Sequence, residues 1–147
     1  MLGYRAITIA GMRDPVGIKY LAEIEKGVRK SVAQSADFVK ENEYSLRFLR
    51  YGLDAVTGAN EAVDVIPREV GLVIEAVAPT QDQADALIAL ARSKALHQGF
   101  PDRKATAGNL AFPFSPSDFS GGAVYEFALY HLTDLPIEFN VQTVVIK

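Results

Sequence analysis

The spacing of apolar residues changes several times along this chain, and the order of those changes restricts the fold more than any other feature. Segments with a two-residue period, typical of strands, alternate with segments whose apolar residues follow the helical period. The predicted strands cover residues 4–10, 43–51, 70–78, 124–132 and 137–146. The predicted helices cover about 15–35 and 80–97. The order is therefore strand, helix, strand, strand, helix, strand, strand.

That order predicts one antiparallel sheet with two helices on one of its faces. We expect an α+β fold, specifically a ferredoxin-like βαββαβ sandwich with an additional C-terminal strand and a long ordered loop before strand four. The 147 residues suit a single domain of this kind, residues 1–147. Such a sheet leaves one face or edge open, which favours oligomerisation or docking on another domain.

Composition excludes several classes of protein. With 49% hydrophobic residues and 22% charged residues, the chain is too apolar for a disordered protein. A net charge of −3 gives no overall basic surface, so we expect neither a nucleic-acid nor a membrane partner. The chain has no cysteine, which excludes disulfides, thiol nucleophiles and cysteine-bound metals. No apolar run approaches the ~18 residues of a membrane span, and we expect a cytoplasmic protein.

The ends of the two helices carry recognisable signals. Asp14 before Pro15 is typical of an N-cap followed by proline in the first turn. Thr80 and Gln83 have the spacing of a capping box. Gly99 is predicted to end the second helix. Arg13 and Asp14 are also candidates for binding an anionic ligand at the start of the first helix, with an ordinary N-cap as the alternative.

Residues 99–123 are predicted to form the long loop, with the rings of Phe112, Phe114 and Phe119 buried. Loops of this length in a small domain are usually functional or form an interface. Polar residues concentrate in and before it, and five are candidates for ligand binding. They are Arg92, Asn109, Ser115, Ser117 and Asp118. The alternative is that these groups only hold the loop in place, as asparagine and serine caps commonly do.

Three residues are candidates for acid–base chemistry. Glu75 interrupts the most apolar strand and needs a partner such as Arg13 or Arg92, either on an open sheet face or in a buried pair. His97 lies at the predicted C-terminus of the second helix, and His131 lies in predicted strand four. The spacing of these residues matches no metal motif, so neither a metal nor another cofactor is predicted.

Several segments together resemble one protein family. They are 11–15 (GMRDP), 51–58 (YGLDAVTG), 77–81 (VAPTQ), 105–118 (ATAGNLAFPFSPSD), 124–127 (VYEF) and 130–132 (YHL). This set is similar to the C-terminal region of the acyclic terpene utilisation (AtuA-type) family. The resemblance covers nearly the whole chain, and the 105–118 block is its most specific part.

The resemblance implies a role in the catabolism of branched or unsaturated organic acids or their acyl-CoA esters. Members of that family are much longer, with a large N-terminal α/β region. The resemblance therefore implies a small subunit or detached domain that assembles with a larger AtuA-type partner, in a hetero- or homo-oligomer, and holds part of a shared site. A hydration or dehydration step would suit such pathways. The alternatives are a stand-alone hydro-lyase or isomerase and a non-catalytic oligomeric binding module.

Overall fold

Four strands form one antiparallel sheet in the computed structural model, which describes residues 1–58, 66–104 and 108–127. They are β1 (Gly3–Met12), β2 (Ser45–Tyr51), β3 (Val70–Ala78) and β4 (Asp118–Val124), in the sheet order β2-β3-β1-β4. The described helices are α1 (Pro15–Lys19), α2 (Leu21–Ser35) and α3 (Gln81–His97), with a 3-10 turn at Glu41–Glu43. The predicted α+β class is confirmed, and so are the predicted strands at 4–10, 43–51 and 70–78.

The two faces of the sheet differ because side chains alternate along each strand. On β3, Val70, Leu72, Ile74, Ala76 and Ala78 are buried against the helices. The apolar stripes of α2 and α3 complete this core. The stripes consist of Leu21, Ile24, Val28 and Val32 on α2, and Ala84, Leu87, Ile88, Ala91 and Ala95 on α3.

We call the opposite side of the sheet the outer face. Its side chains are half-buried or exposed. They come from β1 (Arg5, Ile7, Ile9, Gly11), β3 (Gly71, Val73, Glu75, Val77) and β2 (Ser45, Arg47, Leu49, Tyr51). The described helices pack on the other side, and none of them covers the outer face.

The first helical segment is two helices rather than one. Asp14 caps α1 as predicted, since its Oδ1 accepts a hydrogen bond from the Val16 amide at 2.9 Å. The chain then departs from helical geometry at Tyr20, whose amide is shared between the carbonyls of Val16 and Gly17. Gly17 is packed tightly, because a Cβ there would lie 3.0 Å from the sulfur of Met12.

Helix α3 begins and ends where predicted, but its C-terminus lacks the predicted glycine cap. The Thr80 hydroxyl accepts from the Gln83 amide, which confirms the N-cap. Gly99 does not form the predicted C-terminal cap, because the last carbonyls are satisfied by side chains and backbone from the following segment. Arg103 Nη1 donates to the His97 carbonyl at 2.8 Å, and the Asn109 amide donates to the Leu96 carbonyl at 3.1 Å.

The segment before residue 124 is partly a strand, which the sequence reading missed. Residues 118–124 pair with β1 as strand β4, within the range predicted to be loop. Tyr125–Phe127 are not in a strand, and the rest of predicted strands four and five lies outside the described residues. The expected burial of Phe114 and Phe119 is wrong: both rings are exposed and pack edge-to-face on each other, with centroids 5.5 Å apart. Phe112 is half-buried.

The pairing of β1 with β4 contains a bulge, because Arg5 pairs with Gly122 and Ala6 with Ser120. The side chain of Gln81 bridges this irregularity. Its Nε2 donates to the Arg5 carbonyl at 2.9 Å, and its Oε1 accepts from the Gly122 amide at 3.1 Å. These bonds satisfy backbone groups that the ladder leaves unpaired at a bulge.

Replacing Gln81 should therefore weaken the fold. We expect Gln81→Leu to lower the free energy of unfolding by about 1–2 kcal/mol, because two backbone groups lose their partners. Urea unfolding would measure this. Gln34→Leu, the same change at an exposed position of α2, is the control and should stay within about 0.5 kcal/mol of wild type. Equal effects of the two substitutions would contradict the bridging role.

Candidate functional site

A shallow cleft of about 600 Å³ lies at one end of the outer face. Its lining comes from three places in the sequence: the end of β1 and the turn after it (11–14), the start of β3 (69–71), and residues 108–111. The cleft is mainly apolar and open to solvent. Its volume falls within the range of about 300–1,000 Å³ that is common for small-molecule sites.

The floor of the cleft is backbone, because two glycines face each other across the sheet. Gly11 pairs with Gly71, and both lie on the outer face. On its other side, Gly11 exchanges two backbone hydrogen bonds with Ala111, at 2.7 and 2.9 Å. The bridge brings residues 108–111 alongside β1 and forms one wall of the cleft.

Asn109 stands in that wall and also holds it in place. Its Nδ2 donates to the Gln98 carbonyl at 3.1 Å, in addition to the backbone bond to the end of α3. Gly108 precedes it with a φ of +143°, and a Cβ there would lie 2.4 Å from Leu96 Cδ1. The close approach to α3 therefore requires glycine at 108. Asn109 therefore holds its segment in place, which was the alternative to ligand binding, and it also lines the cleft.

Arg13 and Asp14 also line the cleft, so the structure brings both of them together with Asn109. Asp14 has the capping role described above, which is the alternative that the sequence left open. Arg13 is exposed, and it is the one cationic side chain among the described residues that line this cleft. Glu69, also exposed, adds a carboxylate at the rim.

Three other predicted ligand-binding residues bind one another instead. Arg92 Nε lies 2.8 and 2.9 Å from the two carboxylate oxygens of Asp118, and its guanidinium lies 6.0 Å from the centre of the Phe112 ring. The Ser117 carbonyl accepts from the buried hydroxyl of Thr8 at 2.9 Å. This network joins α3, β1 and β4. Arg92, Ser117 and Asp118 do not line the cleft, and neither does Ser115, which is exposed.

His97 is not among the residues that line the cleft. His97 is the last residue of α3, as predicted, and its side chain is exposed. It lines neither this cleft nor the second cleft on the outer face. His131 lies outside the described residues.

Glu75 lies on the outer face, and its partners are not the predicted ones. Its Oε1 is 2.5 Å from Arg5 Nε, and its Oε2 is 3.0 Å from Arg47 Nε. The Arg5 contact is an ion pair without hydrogen-bond geometry. Arg47 is directly opposite Glu75 in the pairing of β2 with β3, whereas Arg13 and Arg92 are elsewhere. The sequence left two alternatives for Glu75, an open sheet face or a buried ion pair, and each is partly right. The carboxylate lies on the outer face, and it is only 12% exposed.

Glu25 is a half-buried acid on α2 that was not among the residues chosen from the sequence. It lies on α2 over Arg50, with Glu25 Oε1 3.7 Å from Arg50 Nε, a distance too long for a hydrogen bond. Arg50 binds Asp54 instead, at 2.9 Å from Nε to Oδ1. Burial raises the pKa of the Glu25 carboxyl above its ordinary value of 4.5, against the opposing effect of Arg50. Its spacing of four residues from Leu21 and three from Val28 was the signal for burial.

The raised pKa of Glu25 has a definite effect on stability. A carboxyl whose pKa is higher in the folded state favours folding while it is protonated, and this contribution is lost as pH rises through the folded pKa. We therefore expect Glu25→Gln to gain stability relative to wild type between pH 4 and pH 7. Urea unfolding across that range measures the difference. Glu23→Gln, at an exposed position of α2, is the control for the loss of one carboxylate.

Across 1–58, 66–104 and 108–127, no cluster of three or more His, Cys, Asp or Glu side chains could hold a metal ion. In the same ranges, no helix has the length and apolar character needed to cross a membrane. The described lining of the cleft offers one guanidinium, carboxylates, an amide and backbone groups around an apolar floor.

Comparisons of the chain with protein-family models, with curated proteins and with solved structures find no match. The resemblance of the sequence to the AtuA-type family thus stays a prediction. The function must be argued from the cleft and the outer face.

Proposed function

We propose that this chain is a small subunit or detached C-terminal domain of the AtuA type, which assembles with a larger partner. Together they would complete a site for a small branched or unsaturated organic acid or its acyl-CoA ester. The observation that carries the proposal is the cleft itself. It combines an apolar floor, one cationic side chain and an open side.

The chemistry of the lining fits an acid with a hydrocarbon body. A carboxylate or thioester carbonyl can accept from Arg13, while the hydrocarbon lies over Gly11 and Gly71, where no side chain intrudes. Ligand sites usually bury most of the surface of a small ligand. Within residues 1–58, 66–104 and 108–127 the cleft is open to solvent, and in this proposal the larger partner covers the ligand.

The fold supports the same proposal. We propose a ferredoxin-like arrangement because the sheet order β2-β3-β1-β4, with antiparallel neighbours, is the order that two interleaved βαβ units give. Such a sheet exposes one face. The outer face here carries Ile7, Ile9, Leu49 and Val73, which supply apolar area for a partner.

An enzyme acting alone is less well supported. Glu75, the acid–base candidate, has an arginine at each carboxylate oxygen. His97 is exposed and away from the cleft. A purely structural oligomeric module would use the outer face but would leave the cleft empty.

Binding measurements on charge variants test the ligand class. With 3-methylbut-2-enoate as the probe, we expect Arg13→Gln to weaken binding about tenfold, the loss of one charge-assisted hydrogen bond. Glu69→Gln should strengthen it, because a like charge leaves the rim. Isothermal titration on the chain with its partner bound would measure both. The proposal requires the affinity to fall in Arg13→Gln and to rise in Glu69→Gln. Unchanged affinity in both variants would refute the acid-binding role.

Purification tests the assembly. The tagged chain, expressed in its native host, should co-purify in fixed stoichiometry with one larger polypeptide that carries an α/β region. A strictly monomeric chain that binds the probe acid with full affinity by itself would contradict the subunit proposal.

A further inference from the structure

A second cleft of about 610 Å³ lies on the outer face, around the two arginines that flank Glu75. Arg5, Arg47 and Glu75 line it together with Tyr44 and Ser45. It shares no lining residue with the cleft of the proposed function. The inference drawn from it is therefore independent of that function.

The three charged groups form a cluster with surplus hydrogen-bond donors. Each guanidinium carries five N–H donors, and one carboxylate offers about four acceptor sites. The closest contact of each arginine to Glu75 is made through Nε. More than half of the donors are thus left for water or a ligand. The side chains of Arg5 and Arg47 are 40% and 61% exposed, whereas Glu75 is 12% exposed, so the arginines are much more accessible to a ligand than the carboxylate.

The backbone fixes both arginines. Arg47 is directly opposite Glu75 in the β2–β3 ladder. The hydrocarbon part of Arg5 crosses Gly121, where an added Cβ would lie 3.0 Å from Arg5 Cγ and 3.1 Å from Cδ. Gly121 is the extra residue of the bulge between β1 and β4. The glycine therefore makes room for Arg5 to lie flat and reach Glu75.

The surrounding charge favours an anion. The cluster has a net charge of +1. Glu43 lies at the rim of the cleft, but its carboxylate is paired with Lys40 at 3.1 Å. Ser45, on the outer face of β2, adds a hydroxyl to the lining of the cleft. Since Glu75 already neutralises one arginine, a monovalent ligand would match the remaining charge and a divalent one would exceed it by only one.

We propose that this cleft is a binding site for a phosphoryl group, held by Arg5 and Arg47, with Glu75 as the positioning residue for both guanidiniums. A phosphate monoester presents three terminal oxygens and a charge of about −1.5 to −2 at neutral pH. It can accept donors from both guanidiniums at once. A carboxylate has only two oxygens, so it can make a bidentate contact with only one of the two guanidiniums.

The test uses phenyl phosphate and benzoate, which share a ring and differ in the anionic group. The full-length chain is titrated at constant ionic strength, and the arginine Nε–Hε signals are followed by NMR. We expect saturable shifts of the Arg5 and Arg47 signals with phenyl phosphate, and binding at least tenfold weaker for benzoate. Equal affinity for the two ligands would overturn the phosphoryl assignment. Shifts no larger than those caused by chloride would overturn the site.

Variants locate the site and separate it from the proposed function. Arg47→Gln should weaken phenyl phosphate binding about tenfold. Arg47→Lys should recover only part of the lost affinity, because lysine restores the positive charge but not the paired donors of the guanidinium. Arg68→Gln removes the same charge at an exposed position outside the cleft and should bind as wild type. Equal losses in Arg47→Gln and Arg68→Gln would refute the site. Arg13→Gln should leave phosphate binding unchanged, so failure of the acid-binding proposal does not affect this one.

Discussion

Ile74→Ala should lower the free energy of unfolding by about 2–5 kcal/mol, the usual cost of removing a large buried aliphatic side chain. Ile74 is fully buried in the middle of β3, on the face that packs against the helices. The substitution removes apolar contacts and leaves a cavity that the surrounding strands and helices fill only in part. Denaturant unfolding of the isolated chain measures the effect.

Ile9→Ala makes the same chemical change on the outer face of β1, where the side chain is only half-buried. In the isolated chain it should cost less than half as much as Ile74→Ala. If the outer face is a partner interface, the cost of Ile9→Ala should increase once the partner is bound. A larger loss for Ile9→Ala than for Ile74→Ala in the isolated chain would contradict the assignment of the two faces.

Sequence patterns predicted the parts of the fold that depend on residues close to one another in the chain. The buried stripes of α2 and α3 follow the helical period, and β3 has the bounds that its apolar run indicated. Asp14 and Thr80 cap the helices that they were expected to cap. In each case one segment carries the whole signal, since the residues involved are neighbours in sequence.

Strand β4 could not be recognised in this way. Its sequence, Asp118–Val124, contains Gly121 and Gly122 and shows no apolar alternation. It is a strand because β1 has a free edge, and because Gln81 and Arg92 hold the segment against α3. Those contacts join residues far apart in sequence, which a reading of local propensity does not include.

The candidate sites show the same division. Arg13, Asp14 and Asn109 were all chosen from the sequence, but for separate reasons. Their meeting in one cleft depends on the bridge between Gly11 and Ala111, which no spacing predicts. The partners of Glu75 were missed because the register of β2 on β3, rather than the sequence around Glu75, places Arg47 beside it.

The glycine floor offers the sharpest test of the cleft, because there a side chain can be added without disturbing the fold. We expect Gly11→Phe to weaken binding of 3-methylbut-2-enoate on the order of a hundredfold, about 2.7 kcal/mol. A Cβ at Gly11 would meet only the Ala111 carbonyl, at 3.9 Å, an ordinary contact. The ring would then extend over the floor and occupy the space of the hydrocarbon.

The thermal stability of Gly11→Phe should change little, or rise slightly, because glycine is unfavourable inside a strand and aromatic residues are favourable there. Ser45→Val places a new apolar side chain on the same face, outside this cleft, and should leave acid binding unchanged. Isothermal titration and thermal unfolding of both variants separate the outcomes. If Gly11→Phe remains folded and binds the acid as tightly as wild type, the ligand does not lie on this floor. If Ser45→Val loses as much affinity as Gly11→Phe, the acid is held elsewhere on the outer face.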